Sequence, residues 1–164
     1  MDDLFQQILV AADNALYYLA LAGALIVPDL CGALETPGGQ ASGQRYKDWV
    51  DNHLAPLHNG WLDGDSCYRF RCAFLHQGTT QHPQNKYSRL LFVEPGAGGV
   101  FHMNILNDAL NIDVGRFCHE MIEAAQEWRT TVAGTEPYDT NIKHSVTRYP
   151  GGLAPYIVGV PVIS

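Results

Sequence analysis

Charge is scarce in this sequence: 16% of its 164 residues are Asp, Glu, Lys or Arg, against roughly 25% in an average soluble domain. Basic residues are scarcer still, ten against seventeen acidic ones for a net charge of -7, which excludes a protein that coats nucleic acid through a general basic surface. A local basic pocket stays compatible with that balance. The four cysteines, Cys31, Cys67, Cys72 and Cys118, contain no Cys-x-x-Cys pair, so they read as reduced thiols that pack as small hydrophobes in a reducing compartment. Long apolar runs are missing too. The longest uncharged stretch near the N-terminus covers fifteen residues between Asp13 and Asp29, short of the ~20 that cross a bilayer. It is therefore expected to be a core helix, with no membrane partner. The Met-Asp-Asp start carries no basic segment of a secretory signal, and a cytoplasmic location is the expectation. There is no GxxxxGK[ST] phosphate loop, no GxSxG elbow and no GxGxxG.

What is present is apolar mass. Hydrophobic residues make up 46% of the chain, enough for one compact domain spanning 1–164 that buries roughly 70% of its extended surface. With so little charge to cover it, the surface is expected to find a partner, and a homodimer is the simplest one.

The periodicity predicts a mainly α fold. Leu4, Ile8, Ala12, Ala15, Leu19 and Ala22 recur at helical spacing behind Asp2 and Asp3, so the first element reads as one long helix. Pro28 then opens a short second helix to about Glu35. Residues 36–43 form a turn-rich loop, 44–55 an amphipathic helix ended by Pro56, and 65–77 a fourth helix capped by Asp65 or Ser66 and closed by Gly78. That fourth helix is apolar nearly all round, with Phe70 and Phe74 expected in the core. The β-rich runs 88–93 and 100–106 flank Glu-Pro-Gly-Ala-Gly-Gly and read as a β-hairpin. Asp113 caps a last helix that buries Phe117, Met121 and Trp128 and turns Glu120, Glu123 and Glu127 to water. The helical core thus covers about 2–80 and 113–132, the hairpin about 88–106, and a four-proline tail 134–164, whose apolar end should dock on the same core or a second subunit.

The informative stretch is Cys67-Tyr-Arg-Phe-Arg-Cys-Ala-Phe-Leu-His-Gln-Gly78, where two arginines and a histidine lie on a helix otherwise built for burial. Burying such groups demands a partner or a function. On an ideal helix Arg69 and His76 come within about 20° of one face but two turns apart, whereas Arg71 and His76 diverge by about 140°. At these residues the chain resembles the HEPN superfamily, whose ribonuclease members carry an Arg, four to six residues and a His. Arg71-x4-His76 fits that spacing, and so does Arg69-x6-His76.

The resemblance implies a helical bundle, here with an appended hairpin and C-terminal helix. It also implies a homodimer whose paired motifs line a cleft for RNA. His76 would handle protons and Arg71 would hold the phosphate, with Arg69 and Gln77 as further substrate-binding candidates. No metal and no cofactor is expected in that chemistry. Where active members commonly have a polar residue after the Arg, this chain has Cys72. The alternative is a non-enzymatic interaction module in which Arg71 or Arg69 pairs with Asp29 or Glu35 and His76 caps its own helix.

Metal ligation is a third class of reading. Cys72 and His76 are a feasible half-site, Cys67 and the Cys118-His119 pair lie within reach of the idea, but no second pair stands at ligand spacing. His53, His58, His82, His102, His119 and His144 are scattered and read as surface or packing residues, and Asp63-Gly-Asp65 is a turn and cap.

Overall fold

The computed structural model describes every residue except 82, 83, 85, 97 and 100. His82, Ala97 of the expected hairpin loop and Val100 of its second strand therefore lie outside the described residues. The fold is mainly helical, as the periodicity predicts, with small sheets added.

Helix α1 (Asp2–Asp13) begins with two acidic residues at its positive end and buries Phe5, Ile8 and Ala12 along one stripe. It does not continue into the next helix. Asn14 closes it, its Nδ2 donating to the Val10 carbonyl at 2.8 Å, and Ala15 turns the chain with φ of 58°. Helix α2 (Tyr17–Leu34) then runs straight through Gly23 and Pro28. Pro28 is thus an interior residue and not the start of a separate helix. A proline there forfeits one backbone hydrogen bond and costs about 3 kcal/mol. Packing offsets that cost, because α2 buries Ala20, Leu21, Ala24, Leu25, Val27 and Cys31 and is the central element, touching α1 and the three helices that follow it in the core.

Helix α3 (Gly43–Trp49) is capped by Ser42 and passes into a π turn (Val50–Leu54) and a 3-10 turn (Ala55–His58) that holds Pro56. Helix α4 (Gly64–Cys72) is capped by Asp63, whose Oδ1 accepts from the Ser66 amide at 2.8 Å, two residues ahead of the expected Asp65. Gly64 permits this start: a Cβ there would lie 2.3 Å from the Lys47 carbonyl oxygen. Its amide donates to Asp51 Oδ1 at 2.6 Å. Cys67, Phe70 and Ala73 face the core. At Ala73–Gln77 the helix widens into a π turn, and Gly78, with φ of 64°, ends it.

The β-structure corrects the expected hairpin. Strand β1 (Arg89–Val93) does not pair with β2 (Asn104–Leu106); both flank β3 (Ala109–Asp113), β1 in parallel and β2 antiparallel. The hairpin is β2 with β3, joined by Asn107 and Asp108 at φ of 48° and 61°, the two left-handed residues that a tight hairpin turn requires. Burial of Ala109 through Ile112 makes β3 the covered middle strand. Asp113 ends it and caps helix α5 (Val114–Val132), accepting from the Arg116 amide at 2.9 Å. Phe92 of β1 stacks on Phe70 with ring centroids 4.8 Å apart and meets Phe117 edge-on, locking the sheet to α4 and α5.

Phe117, Met121 and Trp128 are buried as expected. Trp128 donates its indole N–H to Glu35 Oε1 at 2.6 Å. The tail holds a short helix α6 (Tyr138–Asn141), whose Asn141 Nδ2 donates to the Leu34 and Thr36 carbonyls. Four two-residue strands follow: β4 (Arg148–Tyr149) pairs with β7 (Val162–Ile163), and β5 (Gly152–Leu153) with β6 (Ile157–Val158). Tyr156, Val158 and Ile163 stay exposed, so this apolar end does not dock on the chain's own core.

Candidate functional site

The π turn after α4 decides the geometry of the arginine and histidine. In a regular helix residues five apart face away from one another, but an i→i+5 hydrogen-bonded turn stacks them. Gly78 donates to the Ala73 carbonyl in this way, and Arg71 NH1 reaches His76 Nε2 at 2.8 Å. A guanidinium has donors only. His76 Nε2 is therefore the acceptor, unprotonated in this contact, and the ring proton belongs on Nδ1.

The other edge of Arg71 is held from α2. Its Nε and NH2 both approach Asp29 Oδ2, at 3.0 and 2.7 Å. These side chains are mostly covered, with 20% of Arg71 and 16% of Asp29 exposed, while His76 and Gln77 are open to solvent. Burial pushes the Asp29 carboxyl up from its ordinary value, and the Arg71 charge and hydrogen bonds pull it back only in part. The guanidinium is thereby oriented on one side by a carboxylate and on the other by an imidazole, and the Cys72 side chain beside it also interacts with its charge.

Arg69 belongs to a different face. Its NH2 lies 2.6 Å from Asp65 Oδ2 one turn earlier, its NH1 donates to the Gln84 carbonyl, and Lys47 Nζ holds the other oxygen of Asp65 at 2.7 Å. The Lys47 hydrogen bond leads the interactions that keep Asp65 below the usual carboxylate range. Of the two candidate arginines the structure thus brings Arg71, not Arg69, to His76. Asp29 is the carboxylate at Arg71, whereas Glu35 is taken by Trp128. Phe74, expected in the core, is only half-buried and stacks on Phe70 at 5.6 Å, because the widened turn rotates it out of the α-helical stripe.

Three of the cysteines, Cys31, Cys67 and Cys118, are buried away from this place. All four are free thiols, and burial pushes Cys67 and Cys118 up to about 12 and raises Cys31 as well. Cys67 also lies 3.4 Å from the buried Tyr46 hydroxyl. Cys72 and His76 do not join Cys67 or Cys118 in any ligand cluster among the described residues. A separate cavity of about 720 Å³ lies between α1, the end of α2 and the tail, lined by Leu4, Leu34, Val146 and Ile163 with Asp3 and Arg148. It contains neither Arg71 nor His76.

A second polar cluster escaped the sequence reading. His58, at the end of the 3-10 turn, His102, between β1 and β2, and Glu120, on α5, converge from three separate elements. His58 is buried, and Glu120, half-buried, turns its Oε2 inward rather than to water. Burial pushes the His58 imidazole below its ordinary value, with the Glu120 charge opposing. Neither histidine stands at ligand spacing to the other in sequence, so no local signal marks the group. Comparison of the chain with protein-family models, with curated proteins and with solved structures finds no match to any of the three.

Proposed function

We propose that this chain is a HEPN-like protein that acts on RNA as a homodimer, with Arg71 holding the scissile phosphate and His76 moving the proton. The observation that carries the reading is the 2.8 Å contact of Arg71 with His76 across the π turn, with Asp29 fixing the guanidinium from behind. The His76 Nε2 carries no proton, and a phosphate that draws the Arg71 donor to itself frees the Nε2 lone pair to accept a ribose 2′-hydroxyl proton. The freed 2′-oxygen attacks phosphorus, the bond to the 5′-oxygen breaks, and that oxygen takes a proton from an acid. One imidazole serves poorly as base and acid in the same turnover. A two-fold dimer would bring a second His76 to the cleft, and the exposure of His76 at the helix end leaves it accessible to such a partner. The Arg71 charge stabilises the phosphorane as its equatorial oxygens gain charge.

A second reading has its own support. The ion pair of Arg71 with Asp29 joins α4 to α2, and a half-buried pair of that kind can serve the fold alone, in a module that binds a partner without chemistry. Incubation of the protein with mixed RNA, with and without EDTA and well below its melting transition, separates the two. The RNA reading expects fragments ending in 2′,3′-cyclic phosphate in both arms. His76→Ala should lower the rate by about 100-fold while the fold survives, and Arg71→Ala should lower turnover more than RNA affinity. RNA left intact by the well-folded parent, together with a depressed Tm in Arg71→Ala, overturns cleavage and leaves the binding module.

A further inference from the structure

Among the described residues six buried side-chain N or O atoms have no hydrogen-bond partner, and four of them belong to His58, His102 and Glu120. Buried polar atoms almost always find a partner, so an orphaned group concentrated at one point calls for a ligand. Here the orphans are three imidazole nitrogens, both of His102 and one of His58, and a carboxylate oxygen, the donor types that hold a borderline transition-metal ion. The side chain of His58 is 2% exposed and that of His102 9%, so water does not satisfy them from outside.

The spacing has the same meaning. Glu120 Oε2 lies 3.6 Å from His58 Nε2 and 3.1 Å from His102 Nε2, and the three donor atoms all fall within 4.8 Å of one another. Ligands at ~2.0–2.1 Å from a tetrahedral zinc ion stand about 3.3 Å apart. The two observed separations bracket that figure; each is close enough for an ion pair with a protonated imidazole, yet neither makes a hydrogen bond. The rings of His58 and His102 meet edge to face at 5.5 Å, so their nitrogens are brought together without one ring blocking the other.

We infer that His58 Nε2, His102 Nε2 and Glu120 Oε2 bind one divalent transition-metal ion, of the zinc class, that pins the 3-10 turn, the segment before β2 and helix α5 to one another. The inference is independent of the RNA reading, since none of its three ligands takes part in the contact of Arg71 with His76. Three protein ligands leave a tetrahedral ion one position for water. An ion bound to the native chain and not to the unfolded one stabilises the fold in proportion to the logarithm of its concentration.

The test uses the untagged full chain, stripped with EDTA and exchanged into chelator-free buffer. Zinc chloride is titrated calorimetrically and Tm is followed against zinc concentration. Cobalt(II) then serves as a spectroscopic probe, because four-coordinate sites give intense visible d–d bands. The expected result is one ion per chain, a Tm that climbs with zinc, and those cobalt bands. Glu120→Gln keeps the size of the side chain and removes its charge, and His102→Gln removes a ligand from another element. Each should abolish the stoichiometric binding and the Tm rise while leaving a folded protein by circular dichroism. Cys72→Ser, at a thiol outside the cluster, should retain both. Absence of binding at micromolar zinc overturns the inference, as does binding that survives in Glu120→Gln and His102→Gln or is lost in Cys72→Ser. If either ligand variant fails to fold, the parent's stoichiometry and cobalt spectrum decide alone.

Discussion

Asp29 has exchanged most of its water for one guanidinium, and its raised pKa says that the exchange falls short of full compensation. The sign of the resulting pH dependence follows directly. The folded chain holds the Asp29 proton to a higher pH than the unfolded chain, whose carboxyl titrates near 3.8. Below that value the contribution to stability is present in full, and it is lost as the pH rises through the folded value. Thermal melts of the parent and of Asp29→Asn at pH 7, 5 and 4 should therefore show the parent gaining relative to the variant as the pH falls. A gap that is constant across the three would show that Asp29 titrates alike in both states. The same residue explains why a half-buried arginine is tolerated on α4 at all. Arg71 keeps its charge against the desolvation that opposes it because Asp29 stands behind it.

The start of α4 is set by Lys47, whose carbonyl oxygen fills the place where a side chain of residue 64 would begin. Gly64→Ala should drive α3 and α4 apart and cost about 3 kcal/mol, lowering Tm by roughly 6–12 °C in a chain of this length. Gly78→Ala is the comparison: its φ of 64° is strained for alanine but nothing lies within 4 Å, so about 1 kcal/mol is expected. Equal losses in the two would mean that the helices can shift to absorb a methyl group.

Helices were legible in the sequence where an apolar stripe of period 3.6 meets a capping residue, as at Asp113 and the stripe of α5. Their junctions were less so. Asn14 and Ala15 break the first helix by a left-handed residue that no Gly or Pro announces, and Pro28 survives inside α2 because tertiary packing outweighs a local penalty. Asn107-Asp108 is a two-residue hairpin signal, but the glycine-rich stretch at 94–99 competes with it as the more conspicuous turn. At the site, the residue types Arg71 and His76 were visible and their contact was not. It depends on a π turn, which ideal-helix angles place out of reach. The cluster of His58, His102 and Glu120 lay beyond any spacing rule, since three elements distant in sequence build it.

For the molecule as a whole, the sheet order has a consequence in time. β2 and β3 are joined by two residues, so their pairing closes almost no loop and belongs to the microsecond class of hairpins. The partners across β1 and β3, such as Leu90 and Leu110, stand about twenty residues apart, with β2 between them in sequence. Closing that longer loop costs on the order of 1.4 kcal/mol more than closing a short one. The strand latest in sequence should thus be the template on which the earliest one docks. Both leucines are fully buried, so truncation to alanine gives a stability change of about 2–5 kcal/mol at each, large enough to divide between the two rates. Leu110→Ala should slow refolding, whereas Leu90→Ala should leave refolding nearly unchanged and hasten unfolding. Stopped-flow chevrons of the two variants check the order, and a Leu90→Ala variant that refolds as slowly as Leu110→Ala would mean that β1 is already in place when the barrier is crossed.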